Sequence, residues 1–74
     1  MKTIWVINER NDYYAENNIY LYENKDNAMN TFKEIIENNK DETEFNYIDG
    51  RREATWEYKG YYCSVRIWEQ ALDD

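Results

Sequence analysis

The segment NKDNAMNTFKEIIEN, residues 24–38, gives the first indication of the fold class because it alone has a clear helical pattern. Its apolar residues recur at the spacing of one helix face: Ala28, Phe32, Ile35 and Ile36. Asn24 stands where a helix N-cap is needed, since its side-chain oxygen can accept a bond from a first-turn backbone N–H. We therefore predict one amphipathic helix from about residue 25 to residue 38.

The segments on either side of this helix predict β-strands. Before it, residues 2–9 predict a strand in which Ile4–Ile7 are apolar on both faces, which is typical of an interior strand, and residues 19–22 form a shorter strand. After it, residues 53–59 and 61–70 alternate in the manner of strands, and Lys59-Gly60 can form a two-residue hairpin turn. Residues 45–48 form either a further strand or an irregular packed stretch.

This order of elements, β-β-α-β-β with an optional fifth strand, predicts an α+β fold. We expect one domain over residues 1–74, with a single antiparallel sheet of four to five strands and the helix packed on one face. A chain of this length has a thin core, and its single cysteine rules out an internal disulfide. Association with another copy or a partner would bury more apolar surface.

Alternation along the strands predicts which sheet face the helix covers. In the last strand, Cys63, Val65 and Ile67 share the expected core face, whereas Tyr62, Arg66 and Trp68 share the other. In the second strand, Ile19 and Leu21 are expected to face the core. The uncovered face is then predicted to be aromatic, with these members: Tyr20, Tyr22, Tyr62, Trp68 and either Trp5 or Trp56. Such a face is either a half-solvated sheet surface or a protein interface.

The charge of the chain limits its partners. Its net charge of −7 disfavours direct binding to nucleic acid or to an anionic membrane surface. The acidity is explained either by solubility or by docking on a basic, nucleic-acid-binding protein, where opposite charge speeds encounter. No segment has the length of a signal-peptide core or a transmembrane helix, so we expect a cytoplasmic protein.

Residues that usually carry enzyme chemistry are scarce. The chain has no histidine, its one thiol at Cys63 is expected to be packed in the core, and no glycine-rich phosphate loop is present. Glu53 and Glu57 share a strand face but would need a cleft to act as a catalytic pair. We therefore predict a non-enzymatic protein without a cofactor or a metal.

Two strand segments and the start of the helix carry a resemblance to a known class of proteins. The residues are Ile4–Ile7, Ile19–Tyr22 and Asn24–Ala28 leading to Phe32. Their arrangement resembles that of small acidic proteins of bacteriophages and mobile elements, of the anti-CRISPR or counter-defence type. The resemblance implies an inhibitor that occupies the nucleic-acid channel of a host effector, in an infected or carrier bacterial cell.

No motif of that class assigns binding residues, so the predicted partner-binding residues rest on charge and aromatic content. The carboxylates that would meet a basic groove are Asp12, Glu16, Glu23, Asp41, Glu42, Glu44, Glu53 and Glu57. The anchoring side chains would be Tyr20, Tyr22, Trp56, Tyr62, Arg66 and Trp68. The alternative is an accessory or structural homodimer that associates through its aromatic sheet face.

Overall fold

The computed structural model describes residues 2–72 of the 74-residue chain. In that range the elements are β1 (Lys2–Asn11), β2 (Glu16–Tyr22), α1 (Lys25–Asn39), β3 (Thr43–Ile48), a 3₁₀ turn (Asp49–Arg51), β4 (Glu53–Tyr58) and β5 (Tyr61–Leu72). They form one five-stranded sheet and one helix, so the α+β prediction is confirmed. The open question about residues 45–48 is answered in favour of a strand.

All neighbouring strands in the sheet are antiparallel, in the order β2-β1-β5-β4-β3. β1 pairs with both β2 and β5, which confirms that its two-sided apolar pattern marks an interior strand. The helix connects the two edge strands, β2 and β3, and therefore crosses one face of the whole sheet. Within residues 2–72, no element covers the opposite face, which we call the open face.

The core lies between α1 and the sheet. Phe32 of the helix is buried against Ile7 of β1 and Val65 of β5, which are both fully inaccessible to solvent. Cys63 and Ile67 belong to the same cluster, so the predicted core face of the last strand is confirmed. This packing removes apolar surface from water on one side of the sheet only.

The helix begins and ends on asparagine side chains. Asn24 Oδ1 accepts a hydrogen bond from the Asn27 backbone N–H at 3.1 Å, so it is the predicted N-cap. At the other end, Asn39 Nδ2 donates to the Ile35 carbonyl at 2.7 Å, one helical turn back. The helix ends at Asn39, one residue later than predicted.

Two backbone features, the turn between β4 and β5 and a bulge in β3, shape the end of the sheet at which β4 is joined to β5. Lys59 and Gly60 form the two-residue turn between β4 and β5 and have φ angles of 51° and 83°. Positive φ angles at both residues are required for the twist of such a turn to match that of the two strands. In β3 the pairing register shifts between Thr43 and Asn46, and Glu44 at the shift has a φ angle of 58°. The bulge turns the Glu44 side chain towards the open face, where it lines a groove with Glu57.

Candidate functional site

The side-chain orientation of β2 is opposite to the predicted one. Tyr22 packs against the helix-side core and shares a 2.9 Å hydrogen bond with Thr31 of α1. Ile19 and Leu21 therefore point to the open face, where they are 54% and 61% exposed. Alternation separates the two faces of a strand but does not say which one meets the helix. Tyrosine suits the helix side here because its ring is partly buried while its hydroxyl finds a partner.

Three further members of the predicted aromatic face also lie on the helix side. Trp5 and Trp56 are both buried in the core cluster, so the prediction of an exposed Trp5 or Trp56 is wrong, and so is the partner-binding role of Trp56. Tyr20 stands on the same side as Tyr22, and its hydroxyl donates to Glu9 at 3.1 Å. These rings lie there because a single helix needs large side chains beneath it to fill the layer between helix and sheet.

The open face instead carries a mainly aliphatic patch. Val6 lies between Leu21 of β2 and Trp68 of β5, its direct neighbours across the two strand pairs. Val6 is only 7% exposed although no helix covers it and it is not part of the core cluster. Its neighbours on the same face therefore shield it. We call this surface the open-face patch: Ile4, Val6, Ile19, Leu21 and Trp68.

Of the predicted anchors, Tyr62, Arg66 and Trp68 do lie on the open face. The Arg66 guanidinium stands 5.2 Å from the centre of the Trp68 ring. Tyr62 is about 20 Å further along β5, since each strand residue advances the chain by roughly 3.3 Å. There the Arg10 guanidinium stands 5.5 Å from the Tyr62 ring and donates to Asp12 at 2.8 Å. The ion pair raises the pKa of Arg10.

Carboxylates gather at the end of the sheet where the β1–β2 and β4–β5 hairpins turn. Glu44 and Glu57 line a groove of about 290 Å³ together with Tyr62. The Asp12 backbone N–H donates to the Tyr62 carbonyl at 3.0 Å. Burial raises the pKa of the Cys63 thiol, and the nearby carboxylates of Asp12 and Glu42 act in the same direction.

We call this surface the acidic end: Asp12, Glu16, Glu42, Glu44 and Glu57. Glu16 belongs to it because it pairs with Asn11 at the first hairpin. Two of the remaining predicted carboxylates lie elsewhere: Glu53 pairs with Arg66 at the opposite end of β4, and Glu23 lies 4.0 Å from Lys2 beyond β2. Asp41 directly precedes Glu42 in the loop after the helix and acts on Lys40. The structure thus brings together five of the eight predicted acidic residues.

A group of aromatic residues beside the acidic end was not predicted. Tyr13 packs edge-on against Tyr14, Tyr58 and Tyr61, with ring centres 4.8, 5.2 and 5.5 Å apart. The Lys59 ammonium stands 5.0 Å from the Tyr13 ring centre. We call these four rings the tyrosine cluster. Its sequence signal is a tyrosine pair in one hairpin loop and two tyrosines flanking the Lys59-Gly60 turn, but only the strand order brings the two hairpins together.

Neither a metal site nor a membrane span emerges from the described part of the chain. No three His, Cys, Asp or Glu side chains in residues 2–72 lie close enough to hold a metal ion. The one helix in that range is neither long enough nor apolar enough to cross a membrane. What the geometry offers is therefore two surfaces: the acidic end with its tyrosine cluster, and the open-face patch.

Comparison with known proteins adds no relative. No family model matches the chain, and neither a curated protein nor a solved structure was found to be similar to it. The resemblance to small bacteriophage proteins therefore stays a prediction. The fold defines the class, a small α+β domain with one open sheet face, and function has to be argued from the two surfaces.

Proposed function

We propose that this protein is a non-enzymatic inhibitor that binds a basic, nucleic-acid-handling protein through its acidic end. The observation that carries the proposal is the convergence of carboxylates from separate parts of the chain on one end of the sheet. Asp12 comes from the first hairpin, Glu42 and Glu44 from the segment after the helix, and Glu57 from β4. No local stretch of sequence holds them together.

The local charge at this end supports a basic partner. The basic side chains nearest to it already have contacts, since Arg10 is paired with Asp12 and Lys59 lies over the ring of Tyr13. Glu44 and Glu57 stand without an ion pair among the described residues. Spaced carboxylates present negative charge to a groove that normally holds phosphates, and this speeds association with a basic surface.

The tyrosine cluster supplies the second element of such a contact. Tyr14 and Tyr61 are more than half exposed and present flat rings next to the carboxylates. Tyrosine is enriched among the residues that dominate binding energy, because it offers a large rigid surface with a polar tip. A basic groove of a nucleic-acid-binding protein stacks bases on aromatic side chains and holds phosphates. At this end of the sheet it would find tyrosine rings in place of bases and carboxylates in place of phosphates. In this proposal the protein acts in the bacterial cytoplasm, in the counter-defence role that the phage-like sequence pattern implies.

The test is a pull-down from host lysate with two double variants that change the net charge by the same amount. Tagged wild-type protein is compared with Glu44→Lys/Glu57→Lys, which reverses charge at the acidic end. The matched control is Glu34→Lys/Glu37→Lys, which makes the same charge change on exposed residues of the helix. We expect wild type and control to recover a basic nucleic-acid-binding protein at low salt, and the acidic-end variant to lose it.

Two results would contradict the proposal. Equal loss of the partner from both double variants would show that net charge alone, and not the acidic end, drives capture. Recovery that persists at high salt would exclude a mainly electrostatic contact. For a recovered partner, the second step is competition: added wild-type protein should displace labelled nucleic acid from it, and the acidic-end variant should not.

A further inference from the structure

The open-face patch is a second surface, and we propose that it is the interface of a homodimer in which two copies pack open face to open face. This proposal does not rest on the function proposed above, because it uses other residues. The two surfaces are separated by the distance from Trp68 to Tyr62 along β5, which is roughly 20 Å. They can therefore be tested and fail separately.

The exposure of the patch is the first reason. Leu21 is 61% exposed and pairs directly with the shielded Val6, and Ile19, the next residue of β2 on the same face, is 54% exposed. Single exposed apolar side chains are ordinary on a protein surface, whereas a continuous apolar patch on an uncovered sheet face marks an interaction site. A thin core beneath the helix gives this small chain a further reason to bury the patch.

The charge of the open face indicates a second copy of this chain as the occupant. At β1, β2 and β5, two of the three basic side chains on this face have an acidic partner, Lys2 with Glu23 and Arg10 with Asp12, and the third, Arg66, lies over the Trp68 ring. The chain as a whole carries a net charge of −7. A basic partner would find no excess of carboxylates here, whereas two copies meeting through this face bring together neutral surfaces and keep their acidic surfaces apart.

The register of the sheet makes the patch self-complementary. Leu21 and Trp68 flank Val6 on opposite sides in one cross-strand row, and neighbouring strands are about 4.8 Å apart. A two-fold axis parallel to β1 and passing over Val6 places Leu21 against the partner's Trp68, and Val6 against the partner's Val6. In the next row, the same axis places Ile19 over the aliphatic stem of the partner's Arg66.

The proposed axis brings three strands of each copy face to face, namely β2, β1 and β5. With strands about 4.8 Å apart and about 3.3 Å per residue along the 10 residues of β1, the facing area is roughly 14 × 33 Å, which is the size of a small interface. Two sheets packed in this way form a sandwich with roughly 10 Å between them. Because the axis runs along β1, strands β3 and β4 extend past the edge of the facing sheet. The carboxylates of Glu44 and Glu57 then stay accessible.

Sedimentation equilibrium on purified protein tests both the dimer and its register. The variants are Leu21→Lys and Trp68→Glu, measured separately and as an equimolar mixture. Tyr14→Lys is the control, because Tyr14 is 56% exposed but lies outside the patch. We expect wild type and control to show the mass of two chains, and each patch variant alone to dissociate with at least a tenfold higher constant, on the order of 1.4 kcal/mol.

Mixing the two variants should restore the two-chain mass. In the mixed dimer one contact joins the new lysine to the new glutamate, while the other keeps the native pair of Leu21 and Trp68. Raised salt should weaken this mixed dimer more than the wild type. Circular dichroism of each variant checks that the monomer remains folded, as the exposure of Leu21 predicts.

A wild type that sediments as a single chain at about 100 μM, where a micromolar dimer would be assembled, overturns the dimer. It would leave the patch to a partner of different sequence. Failure of the mixture to regain the two-chain mass overturns the proposed axis. Neither result bears on the acidic end, whose pull-down measures a different surface.

Discussion

The hydroxyl of Tyr22 and the hydroxyl of Thr31 lie 2.9 Å apart and join the edge strand β2 to helix α1. This hydrogen bond holds Tyr22 on the helix side, and alternation then sets the orientation of every other side chain in β2. With Tyr22 on the helix side, Leu21 must face outwards and adds to the open-face patch. An edge strand has only one neighbouring strand to hold it, so a contact with the helix has a large share in fixing its position.

Removing the Tyr22 hydroxyl should therefore destabilise the protein. We expect Tyr22→Phe to lower the free energy of unfolding by about 1 kcal/mol, the usual net contribution of a partly buried hydrogen bond. Tyr20→Phe is the control, because its bond to Glu9 is exposed and should contribute less. Urea denaturation followed by circular dichroism measures both. An equal effect of the two substitutions would contradict a special role for the contact with Thr31.

The N-cap of the helix gives a second prediction. Asn24→Ala removes the acceptor for the Asn27 backbone N–H and should lower the free energy of unfolding by about 1 kcal/mol. Asn30→Ala changes the same residue type at an exposed position inside the helix, where alanine is the better helix former. That control should be neutral or slightly stabilising. Thermal unfolding of the two variants distinguishes them by the direction of the shift in Tm.

The two glycines are expected to respond differently to substitution by alanine. Neither would bring a new Cβ atom within 4 Å of a neighbour, but Gly60 has a φ angle of 83°. Gly60→Ala should therefore lower the free energy of unfolding by about 1–2 kcal/mol through backbone strain alone. Gly50→Ala should have no cost, or a gain of about 0.5 kcal/mol from a less flexible unfolded chain. Comparable losses at the two positions would contradict the turn geometry.

The thiol of Cys63 should be inert in the folded protein. It is buried, its pKa is raised mainly by that burial, and it lies 3.7 Å from the Tyr61 carbonyl. A chromogenic thiol reagent at neutral pH should react at the rate at which the protein opens, and rapidly once urea unfolds it. Immediate reaction of the native protein, at a rate proportional to reagent concentration, would exclude the packed thiol.

Stability should fall at alkaline pH. Burial raises the pKa of Cys63 above its ordinary 9.0, and burial followed by a hydrogen bond to a carboxylate raises the pKa of Tyr20 and Tyr47 above 10.0. The native state then keeps protons that the unfolded chain releases, so the free energy of unfolding is at its full value below these ordinary pKa values. It decreases as the pH rises through the raised ones. Urea midpoints from neutral pH to about 10.5 measure this, and Tyr47→Phe should reduce the slope.

Features that depend on neighbouring residues could be predicted from the amino-acid sequence. The helix, its Asn24 cap and the Lys59-Gly60 turn each follow from local periodicity or local backbone preference, and all are present as predicted. The interior position of β1 between two other strands was also predicted, because Ile4–Ile7 are apolar on both sides of the strand. These signals are encoded within a few consecutive residues, so one sequence suffices to find them.

The side of each strand that meets the helix, and the distant residues that meet one another, became known from the three-dimensional arrangement of the elements. Alternation in β2 was compatible with either orientation, and the helix, in crossing from β2 to β3, selected the one that buries Tyr22 and exposes Leu21. The strand order then brought Glu44 and Glu57 to one end of the sheet, beside the tyrosine cluster. Such convergence depends on chain topology, which a period of two residues does not encode.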